Sequence, residues 1–466
     1  MKAELQKTLE NWIEEREEQL QEDIAALVRI PGIAKPQSGV SAPFGDACRE
    51  VLEAMKRIAK REKLETDDVD GYCLRLIAGE GKTEIGIWNH LDVVPAGEGW
   101  TFPPFACTRK NGYLIGRGVQ DNKGPSMAVF YAICFCKEQG LLKNIRVSQI
   151  LGCDEEAGME DVDYYLSHRP LPEFSFVADC GFPVCCGEKG ILRLKLVSEE
   201  KAEGLAELYG GTVCNSVPSF AKAKPEGEAD VVTAEGIGGH AAFPDGTCNA
   251  VGVLVKKMKV FVFPEKTEKM LEFLGILAED GYGVSAGIGM EDEISGKLTC
   301  NLGVVSMKDG KLCAELDIRY PVSVCQEQFL PKLLELAEES GFVPEEISDR
   351  PPYYMEKQHP FVQVLMNAWQ DAAGLFGEPF VMGGGTYARK IPNAVAFGPG
   401  QERDFGILGL AKGHGNCHCA DEAESVENLK NAMKIYVHAL VYLDQWIGEQ
   451  ENKKYKEKNH EKISDQ

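Results

Sequence analysis

Apolar positions recur at two spacings along this chain, and each switch between them marks a new element. Near the N-terminus Leu5, Leu9, Trp12, Ile13, Leu20, Ile24 and Leu27 return at helical spacing, the stripe of an amphipathic helix. "YCLRLIAGEGKTEIGIWNHLDVV" predicts two strands joined by a glycine-containing turn. "MAVFYAICFC" (Met127–Cys136) is apolar on every face, a buried helix far too short to cross a bilayer. "IRVSQILGCDEEAGMEDVDYYLSH" reads as a buried strand ending in acids and followed by a helix, and "FSFVADCGFPV" as another strand. Strands alternating with helices predict a mostly parallel α/β sheet. Between Cys186 and Ile191 the pattern changes, and "ILRLKLVSE", "ADVVTAEG", "KLTCNLGVVSMKDGKLCAELDIRYPV" and the helical "CQEQFLPKLLELAEESG" form an α+β group, with Ser216 to Glu226 expected as loop. "FVQVLMNAWQDAAG" returns to helix, "NAVAFGPG" to a buried strand, and "ESVENLKNAMKIYVHALVYLDQWIG" is a closing helix before a charged tail expected to fray. The economical arrangement is one discontinuous α/β domain, residues 1–187 and 356–466, interrupted by an α+β domain over 188–355.

A length of 466 residues exceeds what one core ordinarily serves, which agrees with two domains. Acidic residues outnumber basic ones by 73 to 50, a formal charge of -23. That sign repels phosphate backbones and anionic lipid, so neither nucleic acid nor a membrane is expected as partner, whereas small molecules and cations suit it. The acidic N-terminal segment has no uninterrupted apolar core, so no signal peptide is expected. Sixteen cysteines without a framework spacing are expected to be buried, reduced side chains of a cytoplasmic protein. "HGNCHC" (His414–Cys419) lacks the second Cys-x-x-Cys pair of a zinc ribbon, and "GEGKT" lacks the upstream glycine of a phosphate loop, with Leu76 in its place.

Acids and a histidine collect at the ends of predicted strands: His90 and Asp92, Asp121 in "GRGVQDNKGP", Glu155 and Glu156 in "LGCDEEAG", and Asp179 in "FVADCGFP". Alternate residues of a strand share a face, so His90 and Asp92 point the same way. In an open parallel sheet, ligands gather in the crevice beyond the carboxyl ends of the strands. Singly, each acid reads as a helix cap or solvated surface. Together, as bare anions, they would repel one another at a cost that divalent cations remove, best as a pair sharing one carboxylate. "VMGGGTYARKIPN" supplies glycine amides that can approach a ligand, making Gly384, Gly385 and Thr386 substrate-contact candidates, with a tight turn as the alternative. "GVSAG" (Gly283–Gly287) matches a nucleophile elbow in pattern but has no strand-to-helix context, and a serine nucleophile would leave the carboxylates unexplained.

"HLDVVP", "GRGVQDNKGP", "DEEAGMED", "VADCGFPV", "GGHAAFP" and "HCADE" occur in an order that resembles the motif set of the M20 metallopeptidases, in particular bacterial dipeptidases of the PepV/Sapep type. The resemblance implies a catalytic domain of the dinuclear metallopeptidase type, its mostly parallel sheet interrupted by an inserted α+β lid. It implies that His90 and Asp179 bind one divalent ion, Glu156 and His418 the other, and Asp121 both, with zinc or manganese as the metal. His418, three residues before an Asp-Glu pair, fits the family pattern where His414 does not. Asp92 would orient His90, Glu155 would be the general base, and the Asp121–Asn122 peptide would be cis. His240 would stabilise the oxyanion, and Asn215 and Arg319 would hold the substrate's C-terminal carboxylate. The implied activity is hydrolysis of dipeptides with a free N-terminus, by a monomer in preference to a homodimer. An N-acyl amino acid deacylase or a carboxypeptidase would share the metal core, and a binder that has lost catalysis is the reading from another class.

Overall fold

The computed structural model describes residues 3–36 and 41–464, and the side chains among them up to 453. The chain divides into two compact units, Met1–Cys186 with Met355–Phe380 and Thr386–Gln466, and Gly187–Tyr354 with Val381–Gly385.

In the first unit the strands Ile145–Gly152, Thr83–His90, Phe174–Val177 and Ala394–Phe397 lie side by side in that order, all parallel. Antiparallel strands flank them, Cys73–Ala78 and then Glu65–Val69 on one side and Val184–Glu188 on the other. A parallel strand is covered on both faces, which is why these runs are apolar throughout rather than alternating. From Ile85 to His90 every residue is buried. The helix Lys123–Glu138 is buried at every position from Lys123 to Cys136, and it packs on the helices Ala3–Val28 and Val426–Ser464. Its Phe130, Tyr131 and Phe135 are fully buried, and each such side chain removed from water contributes about 1.5–3 kcal/mol.

The closing helix runs from Val426 to Ser464, so most of the tail expected to fray is helical. After Gly448 the tail carries no glycine or proline and is rich in Glu, Lys and Gln, residues that lose little on entering a helix. Asp465 and Gln466 lie outside the described residues.

The second unit is a seven-stranded antiparallel sheet in the order Val232–Glu235, Phe220–Pro225, Leu205–Gly210, Thr299–Lys308, Lys311–Tyr320, Gly190–Ser198 and Phe342–Arg350. Helices Ala250–Met258, Glu265–Leu277 and Leu330–Glu339 close a core that includes Leu194, Leu196, Leu254, Phe273 and Leu316. Phe220–Pro225 corrects the loop expected there. Its inward residues are Ala221 and Ala223, which bury fully yet carry too little side chain to make the period of two legible among lysines. Among the described residues all sixteen cysteines are free, and no helix is long and apolar enough to cross a membrane.

Candidate metal centre

Three parallel strands end at one edge of the first unit's sheet, and each delivers acids or a histidine there. His90 is the last residue of its strand, Glu155 and Glu156 follow Gly152, and Asp179 follows Val177 by two. Asp121 precedes the buried helix by two residues, and its peptide bond to Asn122 is cis. His418 enters from the loop before the strand Ala423–Ser425, with a backbone φ of 62°.

The imidazole of His90 is fully buried, with Nε2 2.9 Å from Asp121 Oδ1 and 3.5 Å from Asp179 Oδ2. His418 Nε2 lies 3.0 Å from Asp121 Oδ2 and 3.1 Å from Glu156 Oε1. Asp121 therefore turns one oxygen to each histidine. Donor atoms of His90, Asp121 and Glu156 lie within 4.8 Å of one another, as do those of His90, Glu155 and Asp179. His414 is elsewhere engaged, its Nδ1 2.8 Å from Asp421 Oδ2.

Buried polar groups hold this arrangement. Asn122 Nδ2 donates to Asp179 Oδ1 at 2.7 Å, and Asn89 Nδ2 donates to Asn122 Oδ1 at 2.6 Å. Asp92 accepts the backbone N–H groups of Glu155 at 3.3 Å and Glu156 at 3.1 Å. Nδ1 of His90 lies nearer to the backbone oxygen of Asp92, at 3.1 Å, than to its carboxylate, at 3.4 Å. The Asp92 side chain thus ties the His90 strand to the Glu155–Glu156 turn as much as it orients the imidazole. One step back, Asp161 accepts the amides of Cys153 at 2.8 Å and Asp154 at 3.0 Å and the hydroxyl of Tyr387. Asp161, Tyr387, Gln120 and Glu422 were given no role from the sequence, although Gln120, Asp161 and Glu422 stand inside the motifs GRGVQDNKGP, DEEAGMED and HCADE.

Burial alone would lower the His90 pKa, but Asp179, Asp121 and Asp92 reverse this and raise it well above the ordinary value. Hydrogen bonds to Asp121 and Glu156 push His418 up to about 11. Burial opposes ionisation of Asp121, yet the two imidazoles hold it well below the carboxylate range. Burial raises Glu155, Glu156 and Asp179, with neighbouring acids adding to each. The same groups are therefore pulled toward opposite protonation states. A divalent cation satisfies all of them, because it takes neutral imidazoles and ionised carboxylates as ligands. The donor set fits such ions.

Asn215, His240, Arg319, Gly384 and Gly385 belong to the second unit, and Thr386 to the first. His240 sits in a short strand, Gly239–His240, whose partner Ser216–Val217 falls in the stretch expected as loop. The backbone oxygen of Asn215 accepts the amide of Ala241 at 2.9 Å. Nδ1 of His240 accepts the amide of Ala242 at 3.1 Å. Burial, then the charge of Arg319, lowers the His240 pKa. Arg319 is buried on Asp317, Nε at 2.5 Å and Nη2 at 2.8 Å, and donates from Nη1 to the Gly383 oxygen at 2.8 Å. Thr386 Oγ1 accepts the amide of Ala388 at 3.1 Å.

Residues 86–442 match the family model described as Peptidase family M20/M25/M40. A Staphylococcus epidermidis protein named "Putative dipeptidase" is 31% identical, over 92% of this chain and 98% of its own. The Bacillus subtilis protein named "Putative dipeptidase YtjP" is 30% identical, over 93% and 99%. Among solved structures, the di-peptidase Dug1p of Saccharomyces cerevisiae superposes with a TM-score of 0.59 over 96% of this chain and 99% of its own, at 12% identity. Human carnosine dipeptidase 1 does so with a TM-score of 0.58 over 95% and 99%, at 14% identity. At such identities these structures speak for the fold.

Proposed function

From the premise that the chain belongs to peptidase family M20/M25/M40 and is a hydrolase, we propose a metal-dependent dipeptidase acting on dipeptides with a free N-terminus. The observation that carries this reading is Asp121, with Oδ1 2.9 Å from one imidazole and Oδ2 3.0 Å from the other. His90 and Asp179 would hold one ion, Glu156 and His418 a second, and Asp121 would serve both. Zinc and manganese suit this mixture of imidazole and carboxylate. Ions held there supply Lewis acidity, acidifying a water and polarising the scissile carbonyl.

The remaining work falls to the chain's own groups. Glu155 takes the proton of the attacking water and returns it to the departing amine. Burial among acids strengthens its hold on a proton, which suits the first half of that transfer. Asp92, through the amides of Glu155 and Glu156, keeps base and ligand in register. The substrate's amino group meets the negative charge of the cluster. His240 is assigned the oxyanion: with Nδ1 accepting from Ala242, its proton sits on Nε2 and is available to donate. Asn215 and Arg319 take the substrate's carboxylate, for which Arg319 has two of its five N–H groups beyond those given to Asp317 and Gly383. Gly384, Gly385 and Thr386 are assigned further contacts with the substrate. Sixteen free cysteines and the acidic composition support a cytoplasmic setting.

The test is a panel of dipeptides and N-acyl amino acids, offered to chelator-stripped protein before and after reloading with zinc or manganese. Dipeptide turnover only after reloading is expected. Turnover of N-acyl substrates alone makes the protein a deacylase, and none by folded, loaded protein makes it a binder.

A further inference from the structure

The two loops that carry Asp121 and His418 hold each other. Glu422 Oε1 accepts the backbone N–H groups of Gly118 at 2.9 Å, Gln120 at 2.9 Å and Asp121 at 3.2 Å. In the other direction, Gln120 Oε1 accepts the amide of Cys417 at 2.6 Å, and its Nε2 donates to the oxygens of Ala423 at 3.1 Å and Gly415 at 3.4 Å. Each side chain thus fills hydrogen bonds that the opposite backbone would otherwise lack. Glu422 is fully buried and completed by Arg117, whose Nη1 lies 2.5 Å from Oε2 and whose Nη2 donates to the Ala96 oxygen at 3.2 Å.

The two histidines differ in how they are fixed. His90 is buried with both ring nitrogens engaged. The His418 side chain is 52% exposed, its Nε2 meets only Asp121 and Glu156, and its Nδ1 has no partner among the described residues. Among the described residues no hydrogen bond orients this ring from behind. Its place follows from its backbone, and the residue just before it, Cys417, is the one whose amide Gln120 holds.

We infer that Gln120, with Glu422, is a positioning residue that sets His418 against Asp121 and so governs the ion on the His418–Glu156 side selectively. This rests on the dinuclear reading above. An outer partner of a ligand commonly accounts for about tenfold to a hundredfold in metal affinity, and here Gln120 plays that part through the backbone.

Glu422 is a poor probe, since its loss leaves Arg117 charged and buried. Gln120→Met keeps the shape of the side chain and removes its hydrogen bonds. The experiment titrates chelator-stripped wild type and Q120M with zinc or manganese by calorimetry, resolves the successive affinities, and measures the melting temperature of each metal-free protein. One ion weakened about tenfold or more in Q120M, with the other kept within about twofold, is the expected result, and the metal-free melting temperature reads separately what the lost hydrogen bonds cost the fold. Should Q120M not fold, Gln120→Ser, whose side chain is too short to reach the Cys417 amide, carries the same test. Two ions in wild type with equal losses at both, or at neither, in the variant overturns the clasp alone. Wild type that takes up fewer than two ions overturns the dinuclear reading, and the clasp with it.

Discussion

Glu155 and Glu156 share a turn, yet their surroundings separate them: Glu156 lies 3.1 Å from His418, while Glu155 comes within donor reach of His90 and Asp179. If Glu155 is the base and only Glu156 a ligand, Glu155→Gln lowers kcat by about 10²–10⁴ while elemental analysis finds its metal content unchanged. Metal lost along with activity would instead make Glu155 a ligand. Asp92→Asn tests the neighbouring link. An amide in place of the carboxylate sets an NH2 against the N–H of Glu155 or Glu156, and metal affinity should fall about 10–100-fold as the turn loosens, read by competition with a chromophoric chelator. Unchanged affinity would confine Asp92 to supporting the strand end. The chemistry at this scale was legible wherever a charged residue follows a buried run directly, as His90, Glu155 and Asp179 do. Glu422 and Gln120 escaped because their partners are distant in the chain, 304 residues for the bond from Gly118 to Glu422, and no local pattern announces such a pairing. Arg319 illustrates the converse: its carboxylate partner, Asp317, lies two residues away on the same strand face, a spacing the sequence already shows.

Elements were legible to the extent that their side chains were large. The strands Thr83–His90 and Ile145–Gly152 and the helix Lys123–Glu138 declare themselves through unbroken apolar runs. Phe220–Pro225 does not, since alanines mark its inner face, and the tail of the closing helix is helical by propensity without an apolar stripe to show it. Where that closing helix meets the first one, His438 is buried and its Nε2 donates to Gln6 Oε1 at 3.0 Å, while Nδ1 has no partner among the described residues. Burial lowers its pKa to about 4 from an ordinary 6.5. The native state thus prefers the neutral ring and binds fewer protons here than the unfolded chain between those two values. The contribution of His438 to stability is complete above pH 6.5 and is lost as the pH falls toward 4. His438→Gln can still donate to Gln6 but cannot take up a proton. Urea midpoints measured from pH 7 to pH 4 should therefore fall less steeply for H438Q than for wild type, and parallel curves would remove His438 from the acid response.

For the whole molecule, the division of labour between the two units has a thermodynamic consequence. Every proposed metal ligand, His90, Asp121, Glu156, Asp179 and His418, belongs to the first unit, although the last is encoded beyond the entire second one. The second unit has its own core, built from Leu194, Leu254, Phe273 and their neighbours, and contributes none of these ligands. Ions that bind the folded centre and not the unfolded chain stabilise whatever must stay folded to keep those five side chains together. At a free metal concentration about 100 times the dissociation constant this amounts to about 2.7 kcal/mol for each site. Scanning calorimetry of chelator-stripped protein should resolve two transitions, and zinc or manganese should raise one of them and leave the other in place. The responsive transition should be the one that Asp121→Asn desensitises, because that substitution weakens the carboxylate the two ions share. A single transition raised by the metal would mean that the units unfold as one, and a response that survives Asp121→Asn undiminished would place the cations somewhere other than this cluster.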